Sequence, residues 1–247
     1  MSAQNSVIPK AWNIPDIFRA RMGKEVGRQR LMSEEGHHLV VLHEIPTLSE
    51  RGQRKPMLFW VDDAGDWKSM PQSGGRSALK QHVADYQSAI SALEQRMTKV
   101  EGDDTPEEVH NVIDEAAPLH RSVRGLARVM QALRETLKDD REVLNIRDMA
   151  VSMESSTDLL LADAKSTLDF VTAKNAMIQA KESAKAAREA QKLNRLAALF
   201  FPLVTLASVF GMNAPSQVLG ASGSIVVIII GLVTGALLWG ILSKKPN

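Results

Sequence analysis

The spacing of hydrophobic and polar positions changes character along the chain. In HHLVVLHEI (37–45) and MLFWVDDAGDWKSM (57–70), β-branched and aromatic residues predict strands, with Asp63-Ala64-Gly65-Asp66 as a hairpin turn. Residues 46–56 and 71–76 read as loops. From 77 onward the pattern turns helical: 77–101 and 105–137 predict an antiparallel helical pair joined by Gly-Asp-Asp at 102–104. Thr105 is the expected cap of the second helix, Pro106 suits its first position and Glu108 completes a capping box. Pro118 is expected to kink that helix.

Between Gly125 and Pro202 there is neither glycine nor proline, and the segment is dense in Ala, Lys, Glu and Gln, all good helix formers. Phe170, Ala173, Met177, Ala180, Ala184 and Ala187 recur at alternating spacings of three and four and form one narrow stripe. Leu161, Ala164, Leu168 and Val171 form a second stripe, offset by one residue or about 100° around a helix. The pattern predicts one continuous helix from about 140 to 213, on the order of 110 Å long. A lone helix of that length is unstable in water, so it needs partners, which an oligomeric stalk over 140–195 supplies.

Two uncharged apolar runs close the chain, 196–213 and 224–243, separated by the uncharged linker 214–223. Each is about long enough to cross a hydrocarbon core as a helix. A buried hairpin in a soluble protein is the competing reading, but such a helix keeps a polar face, and the second run has almost none. Lys185, Arg188, Lys192 and Arg195 precede the first run, and Lys244 and Lys245 follow the second, within the tail 244–247. The positive-inside rule then puts both termini in the cytoplasm and the linker outside, in a cell membrane crossed twice. The second run carries small residues at Gly231, Gly235 and Gly240, suited to close helix packing. On the first, Asn194, Phe201, Thr205, Ser208 and Met212 fall within about 60° of each other. Such a stripe faces water or another helix rather than lipid. Alternatively, its Ser and Thr bond back to their own helix carbonyls.

Composition removes several chemistries. The 30 basic and 29 acidic residues nearly cancel, so no global field points to nucleic acid. There is no cysteine, which excludes disulfides, thiol catalysis and cysteine-based zinc sites. The first residues, MSAQNSVIPKAWNIPDIF, lack the pattern of a cleavable signal peptide. His37, His38 and His43 suggest a metal cluster, yet on a strand His37 and His43 share a face while His38 points away; solvated or edge histidines are the alternative. Asp103, Asp104, Glu107 and Glu108 are open to a metal reading or to complementing a helix dipole. No nucleophile–base spacing and no Gly-rich phosphate loop appears, so nothing points to an enzyme.

A long helix running into a first span that ends in Gly211-Met212-Asn213, a short outside loop, a second span and a basic tail resembles the CorA-type divalent cation transporters, in divergent form. Phe201-Pro202-Leu203, with the motif nine residues after the proline and Phe210 before it, has that family's spacing. The close match covers about 197–213, and the layout match about 140–247. The resemblance implies a mainly α membrane protein: a small N-terminal α/β region (1–139), a long stalk helix continuous with the first of two transmembrane helices, and a homopentameric funnel. It implies that Gly211, Met212 and Asn213 form an outer selectivity ring meeting hydrated Mg2+, with Co2+ or Ni2+ as further ions. Pore-lining positions would include Asn194, Ala197, Phe201, Val204, Thr205 and Ser208, with either Val204 or Thr205 facing the pore. It implies no covalently bound cofactor, Mg2+ as the transported and a regulatory ion, and self-association and membrane lipid as partners. Asp148, in Arg147-Asp148, resembles a family pair at a similar place on the stalk and is a candidate metal sensor; a solvated helix acid is the alternative.

Three departures qualify the resemblance. The family's Met-Pro-Glu-Leu after the motif is replaced by Ala214-Pro215-Ser216-Gln217, without an acid. The threonine often found two residues after the proline is Val204, with Thr205 displaced by one. Residues 1–139 hold only a reduced version of the family's α/β domain. A zinc transporter of the same fold and a non-conducting oligomeric membrane scaffold are therefore the alternative functions.

Overall fold

The computed structural model describes residues 7–23, 26–47, 55–100 and 106–213, with positions 229, 231, 233, 235–237 and 240. The chain is mostly helical with a small antiparallel sheet and one long helix, and it divides into two units, 1–173 and 174–247.

The first unit is built on a four-stranded meander. Its strands are β1 (Arg30–Glu34), β2 (His37–His43), β3 (Pro56–Val61) and β4 (Trp67–Met70), in spatial order β1-β2-β3-β4 and antiparallel throughout. The β1–β2 turn uses Glu35 and Gly36, both at positive φ, the conformation whose twist suits a two-residue hairpin. The β3–β4 turn is closed by Asp62, whose carboxylate accepts from the Asp66 amide at 2.8 Å, with Gly65 at φ 86°. β1 is absent from the expectation because RLMSE carries no alternating pattern.

Both faces of β2 and β3 are covered, which is why LVVL and MLFWV are unbroken apolar runs. On one face Leu39, Val41, Leu58 and Trp60 pack against Ile8, Trp12, Ile14, Phe18 and Met22 of the N-terminal segment. That segment includes the short helix α1 (Asp16–Arg21). Arg19 holds it in shape, donating to the carbonyls of Ile8, Pro9 and Trp12 at 3.0, 2.9 and 2.8 Å. On the other face Val40, Leu42, Met57 and Phe59 join the core made by α2 (Arg76–Val100), α3 (Pro106–Thr136) and the first part of α4 (Arg141–Asn213).

α3 passes through Pro118 as one helix. It runs antiparallel to α4, as the pairs His120–Asp158 and Arg124–Glu154 record. Along α4, Val143, Ile146, Ala150, Met153, Thr157, Leu160, Ala164 and Val171 are all buried. Their spacing of three and four up to Ala164, with a full heptad from there to Val171, is a heptad seam, filled from within the chain. Leu161 and Leu168, from the second stripe of the sequence pattern, are half-buried beside it.

α4 begins at a tightly made corner. The Asp140 carboxylate accepts from the amides of Glu142 and Val143 at 3.0 and 3.2 Å, a side-chain N-cap. Arg76 reaches the same carboxylate at 2.7 Å and Glu142 at 3.1 Å while its guanidinium lies over Trp67. Gly75 permits this approach: a Cβ there would meet the Trp67 carbonyl oxygen at 2.5 Å. Thr105, the cap expected for α3, lies outside the described residues.

A half-buried polar chain joins sheet to helices. The Gln29 amide donates to the Ser122 carbonyl at 2.9 Å, and Ser122 Oγ lies 2.7 Å from the Tyr86 hydroxyl. That hydroxyl reaches the carbonyls of His43 and Glu44 at 3.1 and 3.2 Å. Burial pushes the phenol up to about 12. His82 sits against Tyr86 and Phe59, 5 % exposed. Burial lowers its imidazole to about 4, against the opposing influence of a hydrogen bond to His43 and the charge of Asp85.

The fold therefore holds His82 neutral, and the sign of the linkage follows. Between pH 6.5 and about 4 the unfolded chain binds a proton that the folded one refuses. Stability from this group is complete above 6.5 and is lost as pH falls, with a slope of at most about 1.4 kcal/mol per pH unit. Thermal unfolding followed from pH 7 to 4 should fall more steeply for the wild type than for His82→Leu; parallel profiles would show that His82 carries no such linkage.

Candidate functional site

The candidate site lies in the second unit, on the distal part of α4. From Lys181 to Leu196 every residue is exposed, and no ion pair involves Lys181, Lys185, Arg188, Lys192 or Arg195 among the described residues. The alanine stripe is uncovered too: Phe170 is 65 % and Met177 53 % exposed, and Ala173, Ala180, Ala184 and Ala187 are open. Thus the two stripes have different fates within one chain. The seam continuing through Ala164 and Val171 is filled, and the one beginning at Phe170 is not.

The expected pore-facing residues share one side of this helix. Asn194, Phe201, Val204, Thr205 and Ser208 are exposed and Ala197 is half-buried. Phe201 is 71 % and Val204 60 % exposed. Thr205 Oγ1 donates to the Phe201 carbonyl at 2.8 Å, so its hydroxyl is turned back onto the helix. Pro202 sits inside α4 and has no N–H to give to the Ala198 carbonyl. One turn of the helix therefore combines a proline with a back-bonded threonine.

Gly211, Met212 and Asn213 are the last three described residues of α4. The final carbonyls of a helix have no intrahelical partner, and they carry the negative end of its dipole. No basic residue occupies this last turn. Wherever a helix stops without such a residue, those carbonyls present neutral oxygens to a cation without a formal charge. The side chains of this tripeptide, and the linker 214–223, lie outside the described residues.

Of the second apolar run, 224–243, helical positions are described only at 229, 231, 233, 235–237 and 240. Gly231 and Gly235 are buried, whereas Ile229, Val233, Ala236, Leu237 and Gly240 are exposed. Gly231 and Gly235 lie on the buried side, but Gly240, with nothing within 4 Å of where a Cβ would sit, does not share it. Among the described residues no helix is long and apolar enough to cross a membrane.

The remaining candidates are scattered. Asp148 stands in the first unit, 57 % exposed, paired with Arg147 at 2.8 Å. His37 stacks near Trp60, His38 Nδ1 lies 3.1 Å from Ser33 Oγ, and His43 Nε2 meets the Gly27 carbonyl at 3.0 Å. Burial, then the neighbouring His37, lowers the His38 imidazole. Among the described residues no three His, Asp or Glu side chains come together as a metal site. Of the acidic run, Asp103 and Asp104 lie outside the described residues, while Glu107 and Glu108 occupy the first turn of α3. The cations before 196 orient the chain, and their regular spacing of four and three also marks a continuous basic face.

No protein-family model matches the chain, and no curated protein matches it by sequence. Solved structures do. The full-length CmaX protein superposes with a TM-score of 0.57 over 94 % of this chain and 81 % of that one, at 12 % identity. The CorA magnesium transporter from Methanocaldococcus jannaschii aligns with a TM-score of 0.49 over 90 % of this chain and 80 % of that one, at 13 % identity. The likeness to CmaX is one of fold.

Proposed function

We propose that this chain is the subunit of a divergent CorA-type channel for divalent cations, Mg2+ first among them, that assembles as a homopentamer in the cell membrane. In this reading 196–213 and 224–243 span the bilayer, both termini lie in the cytoplasm, and the first spans line the passage. The observation that carries it is the uncharged Gly211-Met212-Asn213 at the end of α4, beyond a face on which Asn194, Phe201, Thr205 and Ser208 stay uncovered by the chain itself.

The chemistry is consistent. Mg2+ gives up its water reluctantly, so a ring that bonds to that water avoids the dehydration cost. The Asn213 carboxamide oxygens and the last-turn carbonyls supply such a ring with no formal charge. Neutral oxygens hold the ion weakly enough for it to leave. The Phe201 ring, open in the single chain, is the apolar constriction of the proposed passage. Asp148 serves as a metal sensor only if a neighbouring copy brings further carboxylates to it.

A second reading keeps the assembly without the flux. It is favoured by the bulk of Phe201 and by the linker Ala214-Pro215-Ser216-Gln217, which has no carboxylate to concentrate cations. A zinc transporter of the same fold is the third.

Ion-resolved flux into proteoliposomes separates these readings. Asn213→Ala should lower Mg2+ entry at least about tenfold, since a ring of five donors is lost at once. Flux unchanged by this substitution would refute the proposed ring, flux of Zn2+ alone tracking a proton gradient would favour the zinc transporter, and no flux at all would leave the scaffold.

Assembly has its own test. The open stripe at Phe170, Ala173 and Met177 is the proposed contact between copies. Light scattering in mild detergent should give the mass of five chains, and Met177→Glu, which places a charge on that seam, should lower it. A monomeric wild type would contradict the architecture.

A further inference from the structure

Lys181, Lys185, Arg188, Lys192 and Arg195 follow one another at spacings of four and three, so all five lie within about 80° on one face of α4. Each is exposed and has no ion-pair partner among the described residues, although Glu182 and Glu189 share the same turns. The face is therefore basic and electrostatically unsatisfied.

Its direction can be read from the same helix. The stripe of Asn194, Phe201, Thr205, Ser208 and Met212 lies about 150° around from the centre of the basic face. If that stripe looks toward the axis of an assembly, as in the function proposed above on which this inference rests, the cations look outward. Outward is also where Leu196 and Phe200, each 54 % exposed, meet the solvent beside Arg195. Cations thus lead straight into open apolar side chains on one side of the helix, as on segments that enter a membrane surface.

We infer that Arg188, Lys192 and Arg195 form a binding site for anionic phospholipid headgroups of the cytoplasmic leaflet. Distance selects these three from the five. With the hydrocarbon boundary at Leu196, they stand about 12, 6 and 1.5 Å below it, within reach of a headgroup for long, flexible cations. Lys185 and Lys181 stand about 16 and 22 Å away, so that even with the same side-chain reach they stay beyond the roughly 8 Å over which a surface potential persists at physiological salt. Charge complementarity and continuity with the apolar run favour lipid; an acidic soluble partner would use the whole stripe alike.

The test uses the full chain, purified in mild detergent from bilayers containing equal phosphatidylglycerol and phosphatidylcholine, with retained lipid counted by native mass spectrometry. Wild type should retain phosphatidylglycerol in preference. The preference should fall by about fivefold for each cation removed, to parity in Arg188→Gln/Lys192→Gln/Arg195→Gln. Lys181→Gln/Lys185→Gln should keep it. Equal retention of both lipids by the wild type would overturn the inference. So would an equal loss in the Lys181/Lys185 variant, which would mark the stripe as a docking face for an acidic soluble partner. Alkaline carbonate extraction of cell membranes separates the two levels of the argument: release of the wild type would sink the membrane reading itself, whereas an integral protein indifferent to lipid charge would sink only the lipid site.

Discussion

A helix of 73 residues can be stable only where its apolar positions find neighbours, and α4 satisfies that requirement in one way along its first part and not at all, within a single chain, farther on. From Val143 to Val171 a heptad seam is filled by residues of the same chain, with α3 lying alongside. The Asp140 cap and its pairing with Arg76 fix where that seam begins. Past Lys174 the helix presents alanine, methionine and charge to solvent. The proposed oligomer is the physical answer to that imbalance, because copies of the same stripe can supply one another with what the chain withholds.

The sequence showed the helices plainly, since the absence of glycine and proline over so long a stretch leaves few alternatives. It could not show which of two overlapping stripes its own chain would cover. Both have the same period and differ by one residue, and only the packing of the folded chain decides between them. The sheet was half legible. β2 and β3 announce themselves as apolar runs, but those runs owe their length to cover on two faces, and the second cover could not be seen. Ile8, Trp12, Ile14, Phe18 and Met22 have no regular spacing, being interrupted by Pro9 and Pro15, so a segment that packs tightly carries no periodic signal. α1 is too short to show a period.

At the candidate site the sequence was informative about type and silent about disposition. The Gly-Met-Asn tripeptide and its proline register stand out as a pattern, and the described part of α4 runs as far as that tripeptide. Thr205 illustrates what pattern alone leaves open. A threonine on a polar stripe reads equally as pore lining or as a helix back-bond, and its hydroxyl is found on the Phe201 carbonyl. That contact leaves the methyl group free to face outward, so the polarity of the stripe rests more on Asn194, Ser208 and backbone carbonyls than on this side chain.

Tyr86 is the only tyrosine in the sequence, and its phenol is held at the joint between sheet and helices. With ionisation pushed up to about 12, the phenolate absorbance band stays dark through mildly alkaline solution for as long as that joint is closed. The molecule thereby carries a native optical reporter, without any label, for the opening of its first unit.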